Sequence, residues 1–88
     1  MKWLGKKNRI KKPAALLAQA KTHRRLAEAY GKQRPELKKH WEREAKILEK
    51  HAAELMEDLP QSYLEEIESR SDEEAEKLLR KKRGVLKI

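Results

Sequence analysis

No cysteine and no phenylalanine occur among the 88 residues of this chain, and no acidic residue precedes Glu28. Without cysteine there is no disulfide framework and no thiolate metal site, which fits a reducing, cytoplasmic setting. Without phenylalanine, and with aromatic residues at only 5% of the chain, the core has to be built mainly from Leu and Ala. A domain of this size buries only about 60% of its unfolded surface, so support from a partner or from homo-oligomer formation is expected. No apolar run approaches the roughly 18 residues of a membrane span. The opening MKWLGKKNRIKKPAALLAQA has the basic start and the Ala18-Gln19-Ala20 site of a signal peptide. Its apolar stretch, residues 14–18, falls short of the roughly 7–15 residues of a true h-region. A mitochondrial presequence would share the basic, acid-free composition but would be richer in Ser and Thr. Three scattered glycines and few hydroxyls leave no P-loop or common nucleophile motif, so enzyme activity and cofactors are not expected.

Charge is what the chain has in quantity. Lys2, Lys6, Lys7, Arg9, Lys11, Lys12, Lys21, Arg24 and Arg25 all precede the first acid, whereas acids and bases nearly balance from Glu36 onward. Almost all of the net charge of +8 therefore belongs to the N-terminal third. A basic region attached to a charge-balanced body points to a polyanionic partner, most often nucleic acid.

The order of elements predicts an all-α domain. Residues 1–12 lack sustained periodicity and read as a basic N-terminal arm, with residues 13–88 as a single small helical domain. Pro13 suits the first position of a helix. Leu16, Ala20, His23, Ala27 and Tyr30 then define one helical face over about 13–30, and Gly31 suits a left-handed cap. Pro35 opens a second helix over about 35–59. Its apolar stripe of Leu37, Trp41, Ala45, Leu48, Ala52, Leu55 and Leu59 spans only about 80° of a helical wheel. The short connection predicts an antiparallel hairpin. Ser62–Glu65 and Ser71–Glu74 have capping-box spacing and predict two shorter helices, about 62–69 and 71–83, the last closed by Gly84.

Four constellations are candidates for function. The arm, with Lys2, Lys6, Lys7, Arg9, Lys11 and Lys12, has the composition to follow a phosphate backbone and release counterions. On the second helix Lys39, Arg43, Lys46 and Lys50 align at steps of four, three and four, opposite the Leu/Trp seam. The like-charge neighbours in that row cost roughly 0.2–0.5 kcal/mol each, a small penalty that Glu42 and Glu54 offset. Arg25 and Lys32 flank the hairpin turn on one side, with Lys39 and Arg43 on the other, so an antiparallel hairpin would gather a basic tip. The run Arg80-Lys81-Lys82-Arg83 is explained adequately by complementing the dipole at a helix C-terminus.

The three histidines do not resemble a metal site: His40 and His51 lie eleven residues apart, about 16 Å along a helix. A helix-turn-helix reader is also disfavoured. The second helix has no Asn, Gln or Ser and carries Glu36, Glu42, Glu44 and Glu49, so backbone contact is expected rather than reading of base edges. The leading expectation is a non-enzymatic nucleic-acid-binding protein, for DNA or RNA, using the arm and the hairpin. The alternative is a helical interaction module, adaptor or inhibitor, that binds a larger acidic protein through Leu37, Trp41, Leu48 and Leu55. A third reading, weak attachment to anionic lipid, would use Trp3, Leu4 and Ile10 beside the basic residues.

Overall fold

A computed structural model describes the backbone of residues 6–85 and the side chains of residues 9–81. Among the described residues the chain is all-α and has no strand. Helices α1 (Lys6–Tyr30), α2 (Pro35–Met56) and α3 (Gln61–Val85) run up, down and up. The molecule is elongated, 46 × 22 × 22 Å. Helix α1 packs against both of the others, whereas α2 and α3 scarcely touch each other.

The reason lies in where α1 keeps its apolar residues. Near its start, Ile10 and Ala14 pack with Ile67, Leu17, Met56, Leu59 and Tyr63. Near its end, Leu26 and Ala27 pack with Trp41, Leu79, Tyr30 and Leu37. At about 100° per residue, Ile10 and Leu17 lie nearly opposite Leu26 and Tyr30. The two clusters therefore occupy opposite ends and opposite sides of α1, so the flanking helices cross it obliquely. The buried residues of α3, Ile67, Ser71, Ala75 and Leu79, follow one another in steps of four. Such a ridge is inclined to the helix axis and favours an oblique crossing. Small buried residues on α1 (Ala14, Ala18, Ala20 and Thr22) let the backbones approach where the helices cross.

The α1–α2 connection and Pro35 at the start of α2 match the sequence reading. Gly31 is required for a different reason than a left-handed cap, because its backbone does not take a positive φ. A Cβ there would collide with the Ala27 carbonyl oxygen and come within 2.8 Å of Lys38 Cδ. The turn is closed by Gln33 and Arg34, whose N–H groups donate to the Tyr30 carbonyl at 3.2 and 2.9 Å.

Helix α2 ends at Met56, three residues short of the expected 59, and two larger differences from the sequence reading concern α1 and α3. Helix α1 begins at Lys6, not Pro13, so residues 6–12 are helical and Pro13 is a buried interior residue. An interior proline costs about 3 kcal/mol, since it removes one N–H and crowds the preceding turn. Burying Ile10, only 2% exposed, returns about 1.5–3 kcal/mol and is what ties these first turns to the bundle. Residues 1–5, with Lys2 and Trp3, lie outside the described residues.

The second difference is that α3 is one continuous helix where two were expected. Ser71 sits in its middle, fully buried, and donates to the Glu68 carbonyl at 2.8 Å instead of capping a new helix. The first turn of α3 is anchored by Pro60, whose carbonyl accepts from the N–H groups of Tyr63 and Leu64 at 3.0 and 3.1 Å. Gly84 lies within α3, which continues to Val85.

Candidate nucleic-acid interface

The cations fall into two groups once the helices are assembled. Those in the second half of α1 point at acids on the neighbouring helices. Lys21 Nζ donates to Glu68 Oε1 and Asp72 Oδ1, both at 2.7 Å, and to Ser71 Oγ at 2.8 Å. Partial burial alone lowers the Lys21 pKa. The hydrogen bonds it donates to Asp72 and Glu68, with the negative charges of those carboxylates, outweigh it and leave the ammonium above its ordinary value.

Arg24 makes a two-pronged contact with Glu49, at 2.7 and 2.8 Å, joining α1 to α2. That hydrogen-bonded contact holds Glu49 below the usual carboxylate range, against an opposing desolvation, and raises Arg24. Arg25 lies 3.7 Å from Glu76 on α3. Each of these pairs is at the surface and contributes only about 0.2–1 kcal/mol, but together they tie α1 to both neighbours.

The row on α2 is different. Lys39, Arg43, Lys46 and Lys50 are all exposed and lie on the side of the helix away from buried Trp41, Ala45 and Ala52. None of the four makes an ion pair within 4 Å among the described residues. They rise along the helix in steps of about 6, 4.5 and 6 Å, a total of about 16 Å. Glu42 and Glu49 lie on the flank toward α1, where Glu49 is held by Arg24, while Glu36 and Glu54 bracket the row at its two ends on the same face. Between Lys39 and Lys50 this face carries cations and no acid.

The other expected site residues do not converge on it. Arg9, Lys11 and Lys12 are exposed, but at about 100° per residue they point in three directions around α1. Lys6 and Lys7 lie on the backbone of α1, and Lys2 is outside the described residues. Helices α1 and α2 are antiparallel, so the first turns of α1 sit where α2 ends. They are about 30 Å along the bundle from Lys32 at the turn. The row on α2 runs between the two ends.

The basic tip is gathered only in part. Lys32 and Lys38 line a cleft of about 390 Å³ with Arg24, Gly31, Glu28 and Glu42. Arg25 is directed toward α3, and the two carboxylates offset most of the positive charge of the cleft. Of the expected interaction seam, Trp41 is only 8% exposed, Leu37 and Leu48 are half-buried, and Leu55 is 44% exposed.

Sequence reasoning did not find the Lys21 clasp. Glu68 and Asp72 are four residues apart on one face of α3, with Ser71 beside them. That spacing becomes informative only when Ser71 is known to be buried mid-helix. No helix among the described residues is long and apolar enough to cross a membrane. Comparison with protein-family models, curated proteins and solved structures found no match to this chain.

Proposed function

We propose that the chain is a non-enzymatic, cytoplasmic nucleic-acid-binding protein that contacts the phosphate backbone of DNA or RNA. The outer row of α2 (Lys39, Arg43, Lys46, Lys50) is the principal contact. Lys32 extends it at the turn, and the basic residues of the N-terminal segment (Lys2, Lys6, Lys7, Arg9, Lys11 and Lys12) supply further phosphate contacts. The observation that carries this reading is the division of the cations. Acids within the fold neutralise Lys21, Arg24 and Arg25, while four aligned cations on α2 make no ion pair within 4 Å among the described residues. Four like charges on one face destabilise a helix slightly, and an external polyanion relieves that repulsion while releasing its own counterions. The chemistry is blind to base sequence, so the contact positions the protein without specifying a site.

The test is binding of labelled single- and double-stranded DNA and RNA across a salt series. Binding that weakens steeply with salt is expected, with little dependence on sequence. Absence of binding at about 50 mM salt, where phosphate contacts are strongest, would overturn the reading. A helical adaptor or inhibitor that grips an acidic protein through the Leu/Trp seam is less well supported, because Trp41 lies in the core.

A further inference from the structure

The row on α2 has a shape as well as a charge. Lys39, Arg43, Lys46 and Lys50 stand on one face of a single helix and cover about 16 Å. Glu36 and Glu54 bracket the row, and Glu42 and Glu49 border it on the flank toward α1. The cationic strip is therefore narrow and rigid, suited to one line of phosphates.

Nucleic acid presents such a line in two forms. A duplex, with a persistence length of about 500 Å, already fixes successive phosphates relative to one another. A single strand has to be ordered on contact, and proteins that bind it without sequence preference offset that loss by stacking bases on aromatic side chains. Here the aromatic rings of the described residues are committed to packing. Trp41 is only 8% exposed, and Tyr30 and Tyr63 are half-buried against the two hydrophobic clusters. His40 and His51 are exposed on the other flank of the row, but they stand about 16 Å apart along α2 and do not form a platform for successive bases.

We propose that the polyanion is a duplex, bound along one phosphate ridge with α2 outside the grooves. The inference rests on the proposed polyanion binding and names the form of nucleic acid that this binding selects. A helix with its side chains is about 10–12 Å across and would fill the roughly 12 Å major groove. With the row at the floor of that groove, Glu42 would turn toward one phosphate wall and Glu54 toward the other. On a ridge the same carboxylates stay at the edges of the contact, in water. Each neutralised phosphate also releases more counterion from a duplex than from a single strand, about 0.9 against about 0.7 in the salt slope.

The test is fluorescence anisotropy of the full chain near 0.1 M salt with duplexes of about 20 base pairs, one of DNA and one of RNA, beside oligo(dT) and oligo(rU) of the same length. Both duplexes should bind at least about tenfold more tightly than the single strands. Dimethyl sulfate then reads both grooves of the DNA duplex at saturating protein. Methylation of guanine N7 in the major groove and of adenine N3 in the minor groove should be unchanged in the complex. Single strands bound as tightly as duplexes overturn the inference alone, whether or not Trp3→Ala removes that binding. Protection of guanine N7 or adenine N3 overturns the ridge contact. Absence of binding to every probe overturns the polyanion reading itself.

Discussion

The second half of α1 and the outer face of α2 carry the same kind of side chain and put it to opposite uses. Lys21, Arg24 and Arg25 reach across helix boundaries to Glu68, Asp72, Glu49 and Glu76. Lys39, Arg43, Lys46 and Lys50 are exposed and make no ion pair within 4 Å among the described residues. The acid-free N-terminal third, where the net positive charge is concentrated, contains all three of the neutralised cations, so charge density along the chain does not single out the unpaired ones. What separates them is which acids the fold brings within 4 Å. A high local density of lysine and arginine is therefore a poor guide to an anion-binding surface until tertiary pairing has removed its share.

If that division is right, the two groups respond to mutation in different observables. The largest effect is expected from the unpaired row. Replacing Lys39, Arg43, Lys46 and Lys50 together with Gln should weaken nucleic-acid binding by about 10²–10³-fold near 0.1 M salt. Thermal stability should hold or rise slightly, because four like charges leave one helix face. Fluorescence anisotropy and a melting curve on the same sample read both quantities.

Gly31→Ala should cost about 1–3 kcal/mol, because its methyl group would meet the Ala27 carbonyl and the Lys38 side chain. Denaturant unfolding measures this loss. It would sharpen the comparison by showing how firmly the α1–α2 turn sets the pairing of Arg24 with Glu49.

Lys21→Met is expected to cost about 1 kcal/mol of stability, since Glu68, Ser71 and Asp72 lose a shared donor but all except Ser71 keep access to water. Binding to nucleic acid should change by less than about threefold. A large loss of binding with an intact fold would erase the proposed distinction.

The smallest effect concerns acid. Glu49 is depressed in the folded state from an ordinary value of 4.5, so the stability it contributes is present above that pH. It is lost as the pH falls through the lower folded value. The melting temperature of the wild type should therefore decline below about pH 4.5, and Glu49→Gln should start lower and decline less steeply. Lys21, raised above 10.5, contributes fully below that pH and loses its effect only in stronger base.

Much of the fold is legible in the sequence, and the exceptions have physical causes. The stripe through Trp41, Ala45 and Ala52 identified the buried face of α2, because a helix packed on one side must concentrate its apolar residues there. Helix α1 was only half legible. Its face through Leu16, Ala20, Ala27 and Tyr30 could be read, but burial of Ala14, Ala18 and Thr22 toward α3 follows from packing on two sides, which dilutes periodicity. Pro13 and Ser71 misled for a common reason: each is a strong terminus signal whose local preference is outweighed by burial of neighbours, Ile10 in one case and Ile67 and Ala75 in the other. For the candidate site, the row on α2 was readable from its spacing alone. The neutralisation of Arg25 was not, because its partner Glu76 lies 51 residues away in sequence.

The central claim, that unpaired cations bind and paired cations hold the fold, is tested most directly by the salt dependence of nucleic-acid affinity. Two charge-matched variants should be compared with the wild type: Lys39, Arg43 and Lys46 changed to Gln, and Lys21, Arg24 and Arg25 changed to Gln. Each removes three positive charges. Each phosphate contact contributes about 0.7–0.9 to the slope of log affinity against log salt. The account predicts a slope shallower by about 2–3 for the α2 variant and by less than about 1 for the α1 variant, measured where both remain folded. Equal losses of slope would show that only net charge matters and would contradict the account.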